Sequence, residues 1–195
     1  MPTTQIVRGV LMGVVAVALT PLTVNGDPIP EENTCWIDGT NEVPIQWIIE
    51  AGERVVDRAD GVGVVAVHEE DDTLIGADIE IVGARLNLNA LLRAVGGAVR
   101  VNGSGAVTGW DAPTITEQRD NPKRFRLDVY ALAINEAAGP RGFARHTFYY
   151  CTGMPRDLSH KTFEFAKPGI RVKARPHPGT GKAHGVDFVE AVPEH

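Results

Sequence analysis

The densest group of side chains that could bind a small molecule lies late in the sequence, around an aromatic run. Arg145 and His146 come just before Phe148-Tyr149-Tyr150. A strand alternates its side chains between two faces, so three consecutive aromatic residues place rings on both of them. An imidazole, a guanidinium and phenol hydroxyls orient a ligand by hydrogen bonds while rings pack against it. We therefore predict a pocket wall formed by Arg145, His146, Tyr149 and Tyr150.

The other candidates for catalytic or metal chemistry lack the spacing that such chemistry needs. Ser104 lies in Asn-Gly-Ser-Gly-Ala, which departs from the Gly-x-Ser-x-Gly of a nucleophile elbow. Gly181-Lys182 is followed by alanine, where a phosphate-binding loop requires serine or threonine. His177 and His184 match no compact zinc motif, and the acidic run His68–Asp72 is typical of a solvated turn. These patterns favour a protein that is not an enzyme and that needs no cofactor or metal.

The N-terminal segment has the layout of a secretory signal peptide. Arg8 is the only charged side chain before Asp27, and residues 10–19 are almost entirely apolar. Val24 and Gly26 place small residues at positions −3 and −1 of a cut before Asp27. The apolar run is shorter than the roughly 20 residues that span a membrane as a helix. We predict a signal peptide over residues 1–26, with an uncleaved N-terminal anchor as the alternative, and a single β-rich domain over 27–195.

The predicted signal peptide determines how the two cysteines are interpreted, because it implies an oxidising compartment. In an oxidising compartment Cys35 and Cys151 should form a disulfide, because they are the only cysteines in the chain. The loop that they close is long, so the chain-entropy model gives a stabilisation of about 4 kcal/mol. A nucleophilic Cys151 near His146 is the alternative. Arginine outnumbers lysine fourteen to five, which is typical of a GC-rich bacterial genome, so we predict a secreted or extracytoplasmic protein of the cell envelope.

Charge is distributed unevenly along the chain. Residues 27–80 contain 15 acidic and 2 basic side chains, whereas residues 81–182 contain 16 basic and 7 acidic ones. Early and late strands either pair and neutralise each other, or they form a two-sided surface whose basic face binds an anionic envelope polymer or an acidic protein surface. The net charge of −6 argues against nucleic acid as a partner. The basic candidates for partner binding are Lys123, Arg124, Arg126, Arg171, Lys173 and Arg175.

Period-two alternation dominates the elements that carry these residues. Apolar and polar side chains alternate over 45–50, 124–129 and 170–175, for example, and turn residues separate such runs. The runs 62–67 and 131–134 are apolar on both faces, which predicts two buried central strands. Apolar residues at helical spacing after Asn87 predict one short helix near 87–95. Strands and helices do not alternate regularly, so the predicted fold class is mainly β, an antiparallel β-sandwich or small β-barrel of about eight or nine strands with one short helix.

These patterns predict an exported, non-enzymatic binding or structural module of the bacterial envelope or exterior that acts through a charged face. One alternative is a small-ligand-binding β-barrel or an enzyme with a pocket near His146 and Tyr150. Another alternative is an anchored accessory subunit of a membrane complex. Contact with a membrane is expected only if the N-terminal segment is retained.

Overall fold

The computed structural model describes residues 9–29, 33–37, 40–52, 54–59, 63–69, 71–83, 87–135, 142–156 and 168–193 of the 195-residue chain. These residues contain thirteen strands and two helices, so the chain is mainly β as predicted. In chain order the elements are β1 (Gly9–Pro21), β2 (Cys35–Ile37), β3 (Thr40–Glu42), β4 (Ile45–Glu50), β5 (Arg54–Ala59), β6 (Gly63–Glu69), β7 (Thr73–Gly83), α1 (Leu88–Ala94), β8 (Ala98–Val101), β9 (Val107–Asp111), α2 (Ile115–Asp120), β10 (Phe125–Asn135), β11 (Gly142–Pro155), β12 (Gly169–Arg175) and β13 (His184–Val189).

Nine of these strands form one antiparallel sheet. Seven follow the order β2-β1-β10-β11-β12-β7-β3, and the other two lie outside this order, with β13 paired to β11 and β4 paired to β7. β12 and β13 follow each other along one edge of β11, and β3 and β4 do the same along β7. The end strands β2 and β3 are neighbours in sequence, and β3 lies against β1. The two ends of the sheet therefore meet, and the sheet is barrel-like.

The main core lies on the inner face of this sheet. Phe125, Leu127 and Phe148 are fully buried there, together with side chains from β1, β7 and β12. β10 lies between β1 and β11, which confirms the prediction of a central strand over 131–134. The helix α1 packs on the same core and contributes the buried Leu91.

The predicted helix near 87–95 is confirmed as α1. The side chain of Asn87 accepts a hydrogen bond from the Ala90 amide at 3.0 Å, which satisfies one of the free N–H groups at the helix start. Gly96 and Gly97 follow with φ of +94° and +90°, a conformation that ends helices and that side chains disfavour.

A second helix, α2, was not predicted, and its signal is a local capping box. Thr114 accepts a hydrogen bond from the Glu117 amide at 3.2 Å, and the Glu117 carboxylate accepts one from the Thr114 amide at 2.7 Å. The bonds that the carboxylate accepts from the Thr114 amide and hydroxyl lower the pKa of Glu117. α2 buries none of its residues, so no apolar periodicity marks it in the sequence.

Residues 9–21, which include the apolar run of the predicted signal peptide, form β1. This strand pairs with β10 from Gly9 to Pro21 and with β2 from Val17 to Leu19. Val17 and Leu19 are completely buried in the core. A cut before Asp27 would therefore remove an interior strand of the sheet.

The predicted disulfide between Cys35 and Cys151 is wrong for this structure, in which the two residues are not bonded to each other. Cys35 lies on β2 and Cys151 on β11, and β1 and β10 lie between these strands. Neighbouring strands are about 4.8 Å apart, whereas a disulfide needs Cα atoms within about 7 Å of each other. Three strand spacings exceed that reach.

Alkylation of the native protein without reductant is expected to modify Cys35 much faster than Cys151. Burial raises the pKa of the fully buried Cys151 thiol, so almost no reactive thiolate forms, whereas Cys35 is only half-buried. Mass spectrometry of peptides after timed labelling measures both rates, with labelling of the unfolded chain as the control. Two thiols that stay blocked in the unfolded chain until reductant is added would show a disulfide.

The other predicted central strand, over 62–67, is also wrong. It lies in β6, which pairs with β5 in a separate two-stranded sheet. The name projecting hairpin is used below for β5 and β6 together. The sequence suggested a central strand because a strand with apolar side chains on both faces is usually packed against other elements on both sides.

Candidate binding site at the open end of the sheet

The alternation of β11 separates the residues of the predicted pocket wall. Arg145 lies on the outer face, where its Nη2 donates a hydrogen bond to Asp187 Oδ2 on β13 at 2.7 Å. His146 lies on the inner face, the same face as the buried Phe148. The structure therefore brings His146 to the core side of the sheet without Arg145.

His146 is joined by His184, the first residue of β13. His146 Nδ1 and His184 Nε2 are 3.3 Å apart, and the two rings stack with centroids 5.5 Å apart. If one of these two nitrogens carries a proton and the other does not, the first donates a hydrogen bond to the second. The geometry therefore fits two neutral imidazoles. Burial lowers the pKa of both histidines, and the neighbouring imidazole lowers that of His184 further.

An aromatic group surrounds this pair. The His184 ring lies 4.8 Å from Phe148 and 4.9 Å from Trp47 on β4, centroid to centroid. Trp47 also lies 5.8 Å from Phe148, so β4 and β13 meet over the same core ring. The histidine pair is thus enclosed on one side by the core and on the other by an indole ring that is 42% exposed.

Beyond this aromatic group the inner face stays apolar but becomes exposed. Ile49 shares its face of β4 with Trp47 and pairs with Leu74 on β7. Val186 and Phe188 share their face of β13 with His184. All are large apolar side chains with between 41% and 60% of their surface exposed. The name mouth is used below for the set Trp47, Ile49, Leu74, Val186 and Phe188.

The acidic run His68–Asp72 lies at the base of the projecting hairpin, on the side of β6. The Oδ1 atom of Asp72 accepts a hydrogen bond from the Gly52 amide at 3.0 Å, which ties the two strands of the hairpin at their root. Glu70 and the side chain of His68 lie outside the described residues.

The two tyrosines of the predicted pocket wall lie away from the histidine pair. The Tyr149 hydroxyl lies against Gly185, where a side chain would collide with it. The Tyr150 hydroxyl accepts a hydrogen bond from Arg124 Nε at 3.0 Å, and its ring lies 6.2 Å from that of His177. The predicted set is therefore divided among three places.

His177 ties the loop between β12 and β13 to the end of the N-terminal segment. Its Nδ1 accepts hydrogen bonds from the amides of Gly179 and Thr180 at 3.1 and 3.2 Å. That nitrogen then has no proton, so Nε2–H donates to the Gly26 carbonyl at 3.1 Å. The backbone at the predicted cleavage site is thus held by the folded domain.

A buried polar network lies on the outer face of the sheet. Asp128, 2% exposed, accepts hydrogen bonds from Thr147 Oγ1 at 2.6 Å and from Arg126 Nε at 2.8 Å. Tyr130 is buried beside Trp36, and its pKa is raised by burial and by the Asp128 carboxylate. The carboxylate of Asp128 is therefore satisfied by groups of the same sheet.

The six basic candidates lie in two groups. Lys123, Arg124 and Arg126 are close in sequence where β10 begins, and Arg126 and Arg124 are engaged by Asp128 and Tyr150 as described. The outer face of β12 carries the other three, of which Arg171 pairs with Glu80 on β7 at 3.2 Å. Lys173 stands opposite Asp78, and Arg175 is exposed. Glu80 of the acidic part of the chain thus pairs with Arg171 of the basic part where β7 and β12 lie side by side.

Acid is expected to destabilise the fold through the histidine pair. The pKa of each histidine is lower in the folded chain, so below the ordinary value of about 6.5 the unfolded chain binds protons that the folded chain does not. Stability should be steady above neutral pH and fall as the pH drops below about 6.5. Urea unfolding across this range measures the slope, which His184→Phe should flatten. An unchanged slope in that variant would contradict this role of the pair.

Comparison with known proteins adds no family to this description. No protein-family model matches the chain, and no curated protein is significantly similar to it. Within the described ranges no three metal-binding side chains come together. In the same part of the chain, no helix has the length and apolarity to cross a membrane.

Sequence reasoning identified His146 but missed its partners. Trp47 was visible in the alternation of Ile45, Trp47 and Ile49, and His184 in the alternation of His184, Val186 and Phe188. That pattern predicts a shared face within each strand. It does not tell which strands meet, so the convergence of β4 and β13 over Phe148 was not predictable.

Proposed function

We propose that this chain is a non-enzymatic interaction module that binds a protein partner at the mouth. The observation that carries the proposal is a set of apolar side chains that stay exposed along β4 and β13 and that contact the core through the rings of Trp47 and Phe148. Soluble proteins rarely leave such contiguous patches uncovered, and those that do use them for binding. Covering a half-exposed side chain of this size recovers about 1 kcal/mol, so the five residues together supply several kcal/mol.

The strand edge beside these side chains supports the same proposal. Among the described strands, β13 pairs with β11 alone, so its second edge offers unpaired amides and carbonyls. An exposed edge next to exposed apolar side chains is suited to the addition of a strand from a partner. Backbone hydrogen bonds would give affinity there, and Val186 and Phe188 would select apolar side chains.

The charged face expected from the sequence is supported less well. Arg171 and Arg126 each have a carboxylate partner at 3.2 Å or less, so binding an anionic polymer would compete with contacts already made. Exposed ion pairs contribute little to affinity. Location in the cell envelope or outside the cell stays a prediction of the sequence. The described fold contains β1, so an exported protein with this fold would have to retain residues 9–21.

Fluorescence energy transfer from Trp47 to the apolar dye bis-ANS tests the proposal. The native protein should bind the dye and transfer energy to it, and Trp47→Phe should lose the share that Trp47 donates, leaving only the transfer from Trp36 and Trp110. Phe188→Asp should weaken dye binding at least tenfold, because it places a charge within the mouth. Ile115→Asp on α2 is the matched control, since Ile115 is 87% exposed and lies outside the mouth. Equal dye binding by both aspartate variants would contradict the proposal.

A further inference from the structure

The histidine pair is positioned by the register of β11 and β13. His184 stands opposite Phe148, and His146 stands opposite Val186, so the two histidines are diagonal neighbours across the ladder. Diagonal neighbours on one face have backbones about 7–8 Å apart, which long or aromatic side chains can bridge. The approach of the two imidazoles is therefore set by backbone pairing, although the residues are 38 positions apart in the sequence.

The distance between the facing nitrogens matches the spacing of two ligands on one metal ion. Nδ1 of His146 and Nε2 of His184 are 3.3 Å apart. Two imidazole nitrogens that bind one tetrahedral zinc ion at 2.0–2.1 Å each are also about 3.3 Å apart. Two ligands at a right angle with the same bond lengths would be only about 2.9 Å apart. The observed spacing therefore favours a tetrahedral ion.

Both facing nitrogens can supply the lone pairs that a metal ion needs. A neutral imidazole carries its one proton on either nitrogen. When each ring carries that proton on the nitrogen that points away from its partner, two lone pairs face each other across the 3.3 Å gap. An ion between the rings would take the place of the hydrogen bond described above.

We propose that His146 and His184 form a two-histidine site for a divalent ion of the zinc class. Imidazole nitrogen is a ligand that suits zinc, copper, nickel and iron, whereas magnesium and calcium require oxygen ligands. Among these ions zinc is the one that tetrahedral geometry favours. The site goes beyond the proposed function, because it does not depend on a partner at the mouth.

The surroundings shield the pair on one side and leave coordination positions open. The rings of Phe148 and Trp47 lie 4.8 and 4.9 Å from His184, centroid to centroid, and neither can bind the ion. No third metal-binding side chain joins the pair in the described part of the chain. Structural zinc sites have four protein ligands, whereas sites that bind an external ligand keep a position free. Two positions here would be filled by water or by an external ligand.

Titration of the full chain with Co²⁺ above neutral pH tests the proposal. Cobalt binds in zinc sites with the same geometry, and its tetrahedral complexes absorb visible light strongly. We expect these absorption bands to appear and the fluorescence of Trp47 to be quenched, because its ring lies 4.9 Å from that of His184. Zn²⁺ should reverse both signals by competition, whereas Mg²⁺ should not.

Single variants locate the bound ion. His146→Gln and His184→Gln each remove one ligand and should weaken cobalt binding about tenfold or more, because even the outer partners of metal ligands contribute 10–100-fold. His177→Gln is the matched control, since backbone groups already engage both nitrogens of His177. This variant should bind cobalt like the native chain. Near-ultraviolet circular dichroism verifies that each variant folds.

Three results would overturn the proposal. The first is a native chain that does not bind cobalt, and the second is a spectrum of six-coordinate cobalt alone. The third is equal cobalt binding by the native chain, His146→Gln and His184→Gln, which would place the ion on other side chains.

Discussion

Deletion of residues 1–26 is expected to abolish folding. The deletion removes β1, and with it the buried Val17 and Leu19 and the pairing that joins β10 to β2. Each buried side chain of this size contributes about 1.5–3 kcal/mol, and the backbone ladder on both edges is lost as well. A typical domain has only about 5–15 kcal/mol of stability in total. Circular dichroism of the shortened chain should show no cooperative thermal transition.

Point variants separate the loss of β1 from a general effect of shortening the chain. Leu19→Asp places a charge in the core and should unfold the full-length protein. Val24→Asp, at a side chain that is 98% exposed, should leave the melting temperature within a few degrees of the native value. A shortened chain that melts cooperatively at the native temperature would show that β1 is dispensable and would agree with cleavage before Asp27.

Asp128→Ala is expected to cost about 3–5 kcal/mol in the free energy of unfolding. The carboxylate is buried, and its loss leaves the Thr147 hydroxyl and the largely buried Arg126 guanidinium without their acceptor. Uncompensated buried charge is far more costly than the loss of an exposed pair. Urea unfolding followed by circular dichroism measures the difference.

Asp111→Ala is the matched control for that variant. Asp111 pairs with Arg100 at 3.3 Å, but both side chains are about 60% exposed. Exposed pairs contribute about 1 kcal/mol at most, so this substitution should be nearly silent. Similar losses in the two variants would mean that burial of Asp128 does not set the cost.

Local patterns predicted much of the fold. Alternation identified β4, β10 and β12, because successive side chains of a strand point to opposite faces of the sheet. Asn87 and the glycines after Val95 identified α1, because free backbone groups at helix ends need such residues. In each case the deciding interaction lies within a few residues of the chain.

Two predictions depend on composition that fits two structures equally well. An uncharged run of small and β-branched residues suits a signal peptide, which stays a prediction, and it equally suits an interior strand such as β1. The apolar run of β6 suits a central strand, and it also suits a strand that pairs, among the described strands, only with β5. The disulfide prediction failed because two cysteines in a sequence carry no information on how many strands separate them.

The candidate site was predictable only in part for the same reason. The sequence pointed to His146, and Phe148 belongs to the aromatic run that follows it on the same strand. Trp47 and His184 reach the same place from two separate strands, β4 paired with β7 and β13 paired with β11. Strand register across a whole sheet is a global property, so neither residue was assigned to the site in advance.

Hydrogen exchange of the full-length chain, measured with and without saturating bis-ANS, tests the mouth most directly. Amides of β13 should exchange quickly in the free chain and become protected when the dye is bound. The hairpin of β8 and β9, which is two-stranded and largely exposed, should exchange at the same rate in both samples and serves as the internal control. Amides of β13 that exchange equally fast with and without the dye would contradict binding at the mouth.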